Sequence, residues 1–221
     1  SYVCLTVPSR SVEAGPLPAL STGYITFGSF NNLTKMNDAV VAVWARILEA
    51  VPNSRLLLKA KQLSDAAVCA QTRERFAAHG IAAERLQLQG ILASRNEHLA
   101  TYHQVDIALD TFPYPGVTTS VEALWMGVPV LSLQGDRFLS CTAGSIAHNA
   151  GLPEWIAAGQ DDYVSKAVAF ASDLPKLAAL RAELRSRVLA SPLFDAPRFA
   201  RNFGDALWGM WQVWNGKQQK G

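Results

Sequence analysis

Cysteine is scarce in this sequence: Cys4, Cys69 and Cys141 are the three present, they lie far apart, and none forms a CxxC pair. That excludes a disulfide-stapled scaffold and a structural zinc site, and it suits a reducing compartment, so a cytoplasmic location is expected. Long apolar runs are missing as well. No stretch approaches the roughly 18 residues a membrane helix needs, and the N-terminus shows no signal-peptide pattern. No membrane span is expected. An excess of one charge is equally absent: 20 Lys and Arg stand against 18 Asp and Glu, and the basic residues are scattered rather than clustered. A nucleic-acid footprint is therefore not expected. GxGxxG, GxSxG, a Walker A loop and a Ser-His-Asp signature are all lacking. Asp106 and Asp110 flank "IAL" rather than forming a DxD, and no His/Asp cluster offers octahedral ligands, so neither a metal nor another cofactor is expected.

What the chain does have is apolar mass in a regular order. With 221 residues and 49% hydrophobic content it can bury a large core. Residues 1–23 are rich in Pro, Ser and Gly and read as an extended linker arriving from upstream. The start without Met makes a piece of a larger protein the expectation. Strand and helix patterns then alternate. "YITFGSF" (24–30) reads as a strand, and Asn37 caps a helix over 38–51 with apolar residues at helical spacing. "SRLLLKA" (54–60) is the continuous apolar run of a buried parallel strand. Ser64 is the expected cap of a helix ending near His79 before Gly80. A strand over 85–90 follows, then a helix over 94–104 opened by the Ser94/Glu97 capping box. The series continues with a strand at 105–111, a helix at 118–126 and a strand at 128–133. This is an α/β pattern, a doubly wound parallel sheet over 24–142. From 143 to 221 the chain reads as helical, with helices at 143–150, 161–172, 175–190 and 195–214. In the last of these Phe199, Phe203, Leu207, Met210, Trp211 and Trp214 form one broad face, expected to pack in the core.

Ligands of open α/β sheets sit beyond the carboxyl ends of the strands. Three polar turns fall there: 31–35, 91–98 and 112–119. In the third, Gly116 permits close approach of backbone to a ligand. Thr118 and Thr119 open the next helix, where free N–H groups and the positive dipole end favour an anion. Glu122 lies one turn further in, and a carboxylate can accept from two vicinal hydroxyls, as a ribose presents. A lysine alone in a loop is ordinarily just solvated. Lys35 stands out because the topology places it in the same crevice, as a counter-charge to a diphosphate.

The stretches "FGSFNNLTKMND", "RLQLQGILASRNEHLATYHQVDIALDTFPYPGVTTSVEALWMGVPVLSL" and "SPLFDAPRFARNFGDALWGMW" closely resemble the C-terminal catalytic half of the O-linked N-acetylglucosamine transferases. These are glycosyltransferases of family 41, and the likeness covers residues 24–214. It implies a Rossmann-like GT-B lobe, helical at its C-terminal end, and suggests a bacterial member carrying tetratricopeptide repeats. It also implies an inverting, metal-independent transfer from UDP-GlcNAc to Ser or Thr of a protein. By position, Asn32 and Lys35 would reach the donor diphosphate, Ala93 and Arg95 the uracil, and His98 would stack near it. Thr118 and Thr119 would hold phosphate, and Glu122 the ribose. Val117, Thr34 and Thr101 depart from the animal histidine, tyrosine and arginine. The other partners implied are the N-terminal half of the catalytic region, the repeats and an acceptor protein, so this chain by itself is expected to bind UDP weakly and turn nothing over. A cytoplasmic N-glycosyltransferase using UDP-glucose on asparagine is the nearest alternative. A degenerate docking module and a sugar-nucleotide epimerase are the others.

Overall fold

Short apolar runs separated by helix-length amphipathic segments can bury their faces only by layering helices on a sheet. The computed structural model, which describes residues 3–218, shows that layering. The elements run α1 (Ala19–Thr22), β1 (Thr26–Ser29), α2 (Asp38–Ala50), β2 (Arg55–Lys59), α3 (Ala66–Ala77) and β3 (Leu86–Gln89). They continue through α4 (Arg95–Ala100), β4 (Ile107–Leu109), α5 (Thr118–Trp125), β5 (Val130–Leu133) and α6 (Thr142–Asn149). The chain closes with β6 (Ile156–Ala157), α7 (Gln160–Ser172), α8 (Leu174–Leu189) and α9 (Ala196–Gln218).

The six strands are all parallel in the order β3-β2-β1-β4-β5-β6, so the winding reverses between β1 and β4. Phe27, Leu56, Ile107 and Leu131 are fully buried between the helical layers, as are Ile47 and Leu48 of α2. Such burial on both faces explains why these strands read as continuous apolar runs. Gly28 in β1 is required sterically: a Cβ there would lie 2.6 Å from Val105 Cγ2.

Caps decide where the helices begin. Asn37 Oδ1 accepts from Val40 N at 3.0 Å, and the Ser94/Glu97 capping box is present. At α3 the cap differs from expectation. Asp65, not Ser64, accepts from the amide of Ala67, while Ser64 Oγ accepts from Ile91 N and ties the turn to the end of β3. The helix expected over 94–104 becomes a short α4 followed by a 3-10 turn, Thr101–Gln104. The region after 143 is not wholly helical, because Ile156–Ala157 adds a sixth strand beside β5. Two residues are too few for a periodicity to register.

A larger correction concerns α9. Phe203, Leu207, Met210, Trp211 and Trp214, together with Trp208 and Val213, are 47% to 61% exposed, so the stripe is not part of this lobe's core. Periodicity reports that a face wants covering, not that the same chain covers it. Residues 1–2 of the expected linker and 219–221 of the expected helical part lie outside the described residues.

The stretch expected to be a linker lies along the lobe. Leu17 and Ala19 are buried, and Leu5 N donates to Leu193 O. Arg181, only 1% exposed on α8, donates to the carbonyls of Gly15, Val105 and Tyr102. Burial lowers its guanidinium to about 10, with Asp106 opposing that shift. Asp106 in turn accepts from the amides of Ala19 and Thr26. Truncating one member of such a buried set strands the others, at a cost of about 3–5 kcal/mol. Arg181→Ala is expected to lower the unfolding free energy by that order, read from the midpoint of chemical denaturation. A midpoint unchanged from the parent would show that the clamp is ornamental.

Candidate functional site

Asp110 follows β4 at the point where the winding reverses, and it organises one wall of the crevice. It is 1% exposed. Its Oδ1 accepts from Gly116 N at 2.7 Å, Thr111 N at 3.0 Å and Asn31 Nδ2 at 3.1 Å. Ser132 Oγ donates to Oδ2 at 2.9 Å. Desolvation still outweighs these bonds and raises the acid to about 6. The turn from Phe112 to Gly116 is thereby pinned from beneath. A Cβ on Gly116 would lie 2.5 Å from Thr119 Oγ1 and 2.6 Å from Ser120 Oγ, so only glycine lets the turn sit this close to the helix that follows.

That helix, α5, starts without a cap. Its N-cap residue is Val117, whose side chain makes no capping bond. Valine is among the poorest residues at this position. The first intrahelical bond is Val121 N to Val117 O, so the amides of Thr118, Thr119 and Ser120 precede any helical acceptor. Thr118 is exposed and Thr119 half-buried. Thr119 Oγ1 donates to Asn31 Oδ1 at 3.3 Å.

Lys35 reaches the same turn from the other side of the reversal. The 3-10 turn Leu33–Lys35 is opened by Asn32, whose Oδ1 accepts from Thr34 N at 3.0 Å and Gln62 Nε2 at 2.6 Å. The lysine Nζ donates to Pro115 O at 2.9 Å and lies 4.1 Å from the centre of the Tyr114 ring. Burial lowers the Lys35 ammonium from its ordinary value, and the Asp110 carboxylate works against that shift.

The opposite wall is built on α4. His98 Nε2 lies 3.1 Å from Glu122 Oε2, and His98 Nδ1 lies 2.5 Å from Lys59 Nζ. Arg95 Nη2 stands 3.6 Å from Glu122 Oε1. Glu122 is buried although it sits on α5, so its carboxylate faces the crevice and not solvent. Tyr102 donates to Thr119 O and links the two walls. Ala93 is exposed in the loop just before α4.

Lys35, Gly116, Thr118 and Thr119 are therefore gathered at one turn, and Arg95, His98 and Glu122 meet one another a helix turn away. Asn32 shapes the loop that delivers Lys35. Four participants escaped the sequence reading: Asn31, Lys59, Tyr114 and, as an organiser, Asp110. Asn31, Lys59 and Asp110 each end or closely follow a strand at its carboxyl edge, and that position was the available signal. Among the described residues, no group of three or more His, Cys, Asp or Glu side chains is placed to hold a metal ion. No described helix is long and apolar enough to cross a membrane.

The arrangement can bind an elongated dianion with a diol at one end. The N-terminal amides of α5 and an ammonium face one part of the crevice, and a carboxylate held by Arg95 and His98 faces the other.

Comparison with known proteins gives the family and the fold. The profile of Glycosyl transferase family 41 matches residues 9–203. Among curated proteins, the chain is 39% identical over 216 residues to the probable UDP-N-acetylglucosamine--peptide N-acetylglucosaminyltransferase SPINDLY of Solanum lycopersicum. That alignment takes in 96% of this chain but 23% of the tomato protein, so the chain spans about a quarter of such relatives. Among solved structures, a lysine-to-methionine mutant of the O-GlcNAc transferase from Thermobaculum terrenum superposes with a TM-score of 0.84 at 37% identity. It is matched over 95% of this chain and 40% of its own. Anabaena HepE in complex with UDP and glucose shares the fold, with a TM-score of 0.59 at 13% identity, over 93% of this chain and 55% of its own.

Proposed function

The chain belongs to glycosyl transferase family 41, and on that premise we propose that it is the UDP-sugar-binding lobe of a protein glycosyltransferase, with UDP-GlcNAc as donor and a Ser or Thr hydroxyl as acceptor. One observation carries the reading: Lys35 Nζ stands at the turn that leads into an uncapped helix N-terminus, in the crevice where the sheet reverses. A diphosphate supplies the missing cap for α5, and Lys35 supplies its counter-ion. The ribose hydroxyls then fall to Glu122, and the loop carrying Ala93 and Arg95 borders the base.

The transfer itself is a displacement. The acceptor oxygen bonds to the anomeric carbon from the face opposite the leaving group, the bond from that carbon to the phosphate oxygen breaks, and UDP departs with the bonding electrons. The acceptor's proton passes to a base outside this lobe. Charge grows on the diphosphate as the bond breaks, and Lys35 with the α5 amides stabilises it where a cation would otherwise be needed.

The exposed apolar face of α9 supports a further partner, the N-terminal half of the catalytic region in the same protein. An uncovered row of Trp, Met and Leu of this size marks an interaction surface. The relatives' greater length leaves room for that half, for tetratricopeptide repeats and for the acceptor-binding surface.

The test is calorimetric titration of the chain with UDP, with magnesium and with a chelator. Binding in the range of about 0.1–1 mM is expected, equal in both media. Heat that vanishes with the chelator would overturn the cation-free part. Absence of binding at millimolar UDP would overturn the nucleotide reading and leave a docking module in its place. A turnover screen of the intact enzyme against UDP-GlcNAc and UDP-glucose then decides the sugar.

A further inference from the structure

Lys59 has no assigned part in the site, yet it is the last residue of β2, it is 7% exposed, and its ammonium points into the crevice. A lysine is rarely so buried unless something holds it. Two contacts do. Its Nζ lies 2.5 Å from His98 Nδ1 and 5.6 Å from the centre of the Phe30 ring.

An ammonium has three donors and no acceptor, so Nδ1 of His98 must accept. Burial lowers the Lys59 ammonium from its ordinary value, and the nearby Glu122 carboxylate works against that shift and favours the charged lysine. His98 is thereby fixed as the tautomer with hydrogen on Nε2. That hydrogen points at Glu122 Oε2, 3.1 Å away. The chain of donors runs in one direction, from Lys59 through His98 to Glu122, and holds one carboxylate oxygen in place. The other oxygen is approached by Arg95, at 3.6 Å, whose side chain is 63% exposed and free to swing aside. A ligand hydroxyl can take the second oxygen without disturbing the first.

We infer that Lys59 is a positioning residue of the donor site: through His98 it aims the Glu122 carboxylate at the ribose of the nucleotide. The inference rests on the nucleotide reading above and adds to it the residue that fixes the tautomer of His98. Lys59 does not itself touch the sugar or the phosphates in this scheme. Its loss should therefore weaken uridine and UDP by the same factor, whereas Lys35→Ala should weaken UDP and leave uridine alone.

The experiment combines histidine ring NMR with ligand titration on the full chain, using uridine and UDP as probes. Among the four histidines, His98 is identified by its absence in His98→Gln. In the parent, His98 is expected to show the Nε2–H form. In Lys59→Met the two tautomers should mix, and both probes should bind roughly tenfold more weakly, the order expected on losing one charge-assisted hydrogen bond. Lys59→Gln keeps an uncharged N–H donor and should restore both the tautomer and the affinity. If the methionine variant does not fold, the glutamine variant carries the test by itself, and a tenfold loss in it would overturn the proposal by showing that charge alone matters. Lys59→Met in a His98→Gln background should cost nothing further, since the chain is already cut; additive losses would overturn the proposal. An unchanged tautomer or unchanged uridine affinity in Lys59→Met, with the parent binding UDP normally, would remove Lys59 from the site and leave the nucleotide reading standing. A parent that binds neither probe would end that reading and this one together.

Discussion

Lys35→Ala is expected to lower kcat of the intact enzyme by roughly two to three orders of magnitude, the loss typical of one preorganised charge-stabilising donor. KM for the sugar nucleotide should rise far less. The asymmetry follows from when the charge appears. On the proposed function, the ground-state diphosphate already has the α5 amides, Thr118 and Thr119 for partners. During bond breaking the leaving oxygen gains charge, and an interaction that strengthens only then acts on kcat. The ammonium is well placed for that task. It is partly desolvated, held 2.9 Å from Pro115 O and packed on the Tyr114 ring, so it need not reorganise as charge develops. Lys35→Arg should recover only part of the rate, because a planar fork cannot occupy the point position of the ammonium. Steady-state release of UDP by the full-length variant measures this. Turnover within about threefold of the parent would remove Lys35 from the mechanism and leave it a loop anchor.

Replacing Asp110 separates fold from charge. Asp110→Ala leaves the amides of Gly116 and Thr111, the Asn31 carboxamide and the Ser132 hydroxyl without their acceptor. Each buried donor so stranded costs about 1–3 kcal/mol, and together they should abolish the Gly116 turn or unfold the chain. Asp110→Asn should do neither. Its carboxamide oxygen still accepts from Gly116 and Thr111, and its new N–H groups meet hydroxyls that can accept.

The two variants also part in pH dependence. The folded acid is raised from 3.8 to about 6, so between those values the folded state holds a proton that the unfolded state has released. Stability from this group is complete below about pH 4 and is lost as pH rises through 6. A shift of about two units amounts to about 3 kcal/mol. The difference in unfolding free energy between Asp110→Asn and the parent should therefore grow in favour of Asn from pH 4 to pH 7. A difference that stays flat over that window would mean that Asp110 is not desolvated as the structure shows. Catalysis should follow the opposite course. Removing the Asp110 carboxylate withdraws the field that keeps the Lys35 ammonium charged.

How much of this was legible beforehand follows from what each feature depends on. The strands β1 to β5 and the helices between them are written in local patterns: continuous apolar runs, helical spacing, the Asn37 cap and the Ser94/Glu97 box. So is the glycine turn with its two threonines, because Gly116, Thr118 and Thr119 lie within four positions of one another. The Ser64 cap was misplaced because two adjacent residues can both cap, and only the pull of Ile91 on Ser64 leaves Asp65 to do it. The α9 stripe was misread because an amphipathic period looks the same whether its partner lies within the chain or outside it. Lys59 was passed over because a lysine closing an apolar strand reads locally as its solvent-facing end.

The chain by itself determined the alternation of elements, the family resemblance and the residues of the Gly116 turn, since all of these arise from neighbours a few positions apart. Only the tertiary structure decided that Asp110 holds the turn, that Lys59 and His98 hold Glu122, and that Arg181 ties the leading segment to the lobe. The contacts of Lys59, His98 and Arg181 join residues 24 to 166 positions apart, and Asp110 adds partners 6, 22 and 79 positions away. Hydrogen bonds over such separations are set by which strand ends and helices the sheet brings side by side, and no local pattern carries that information.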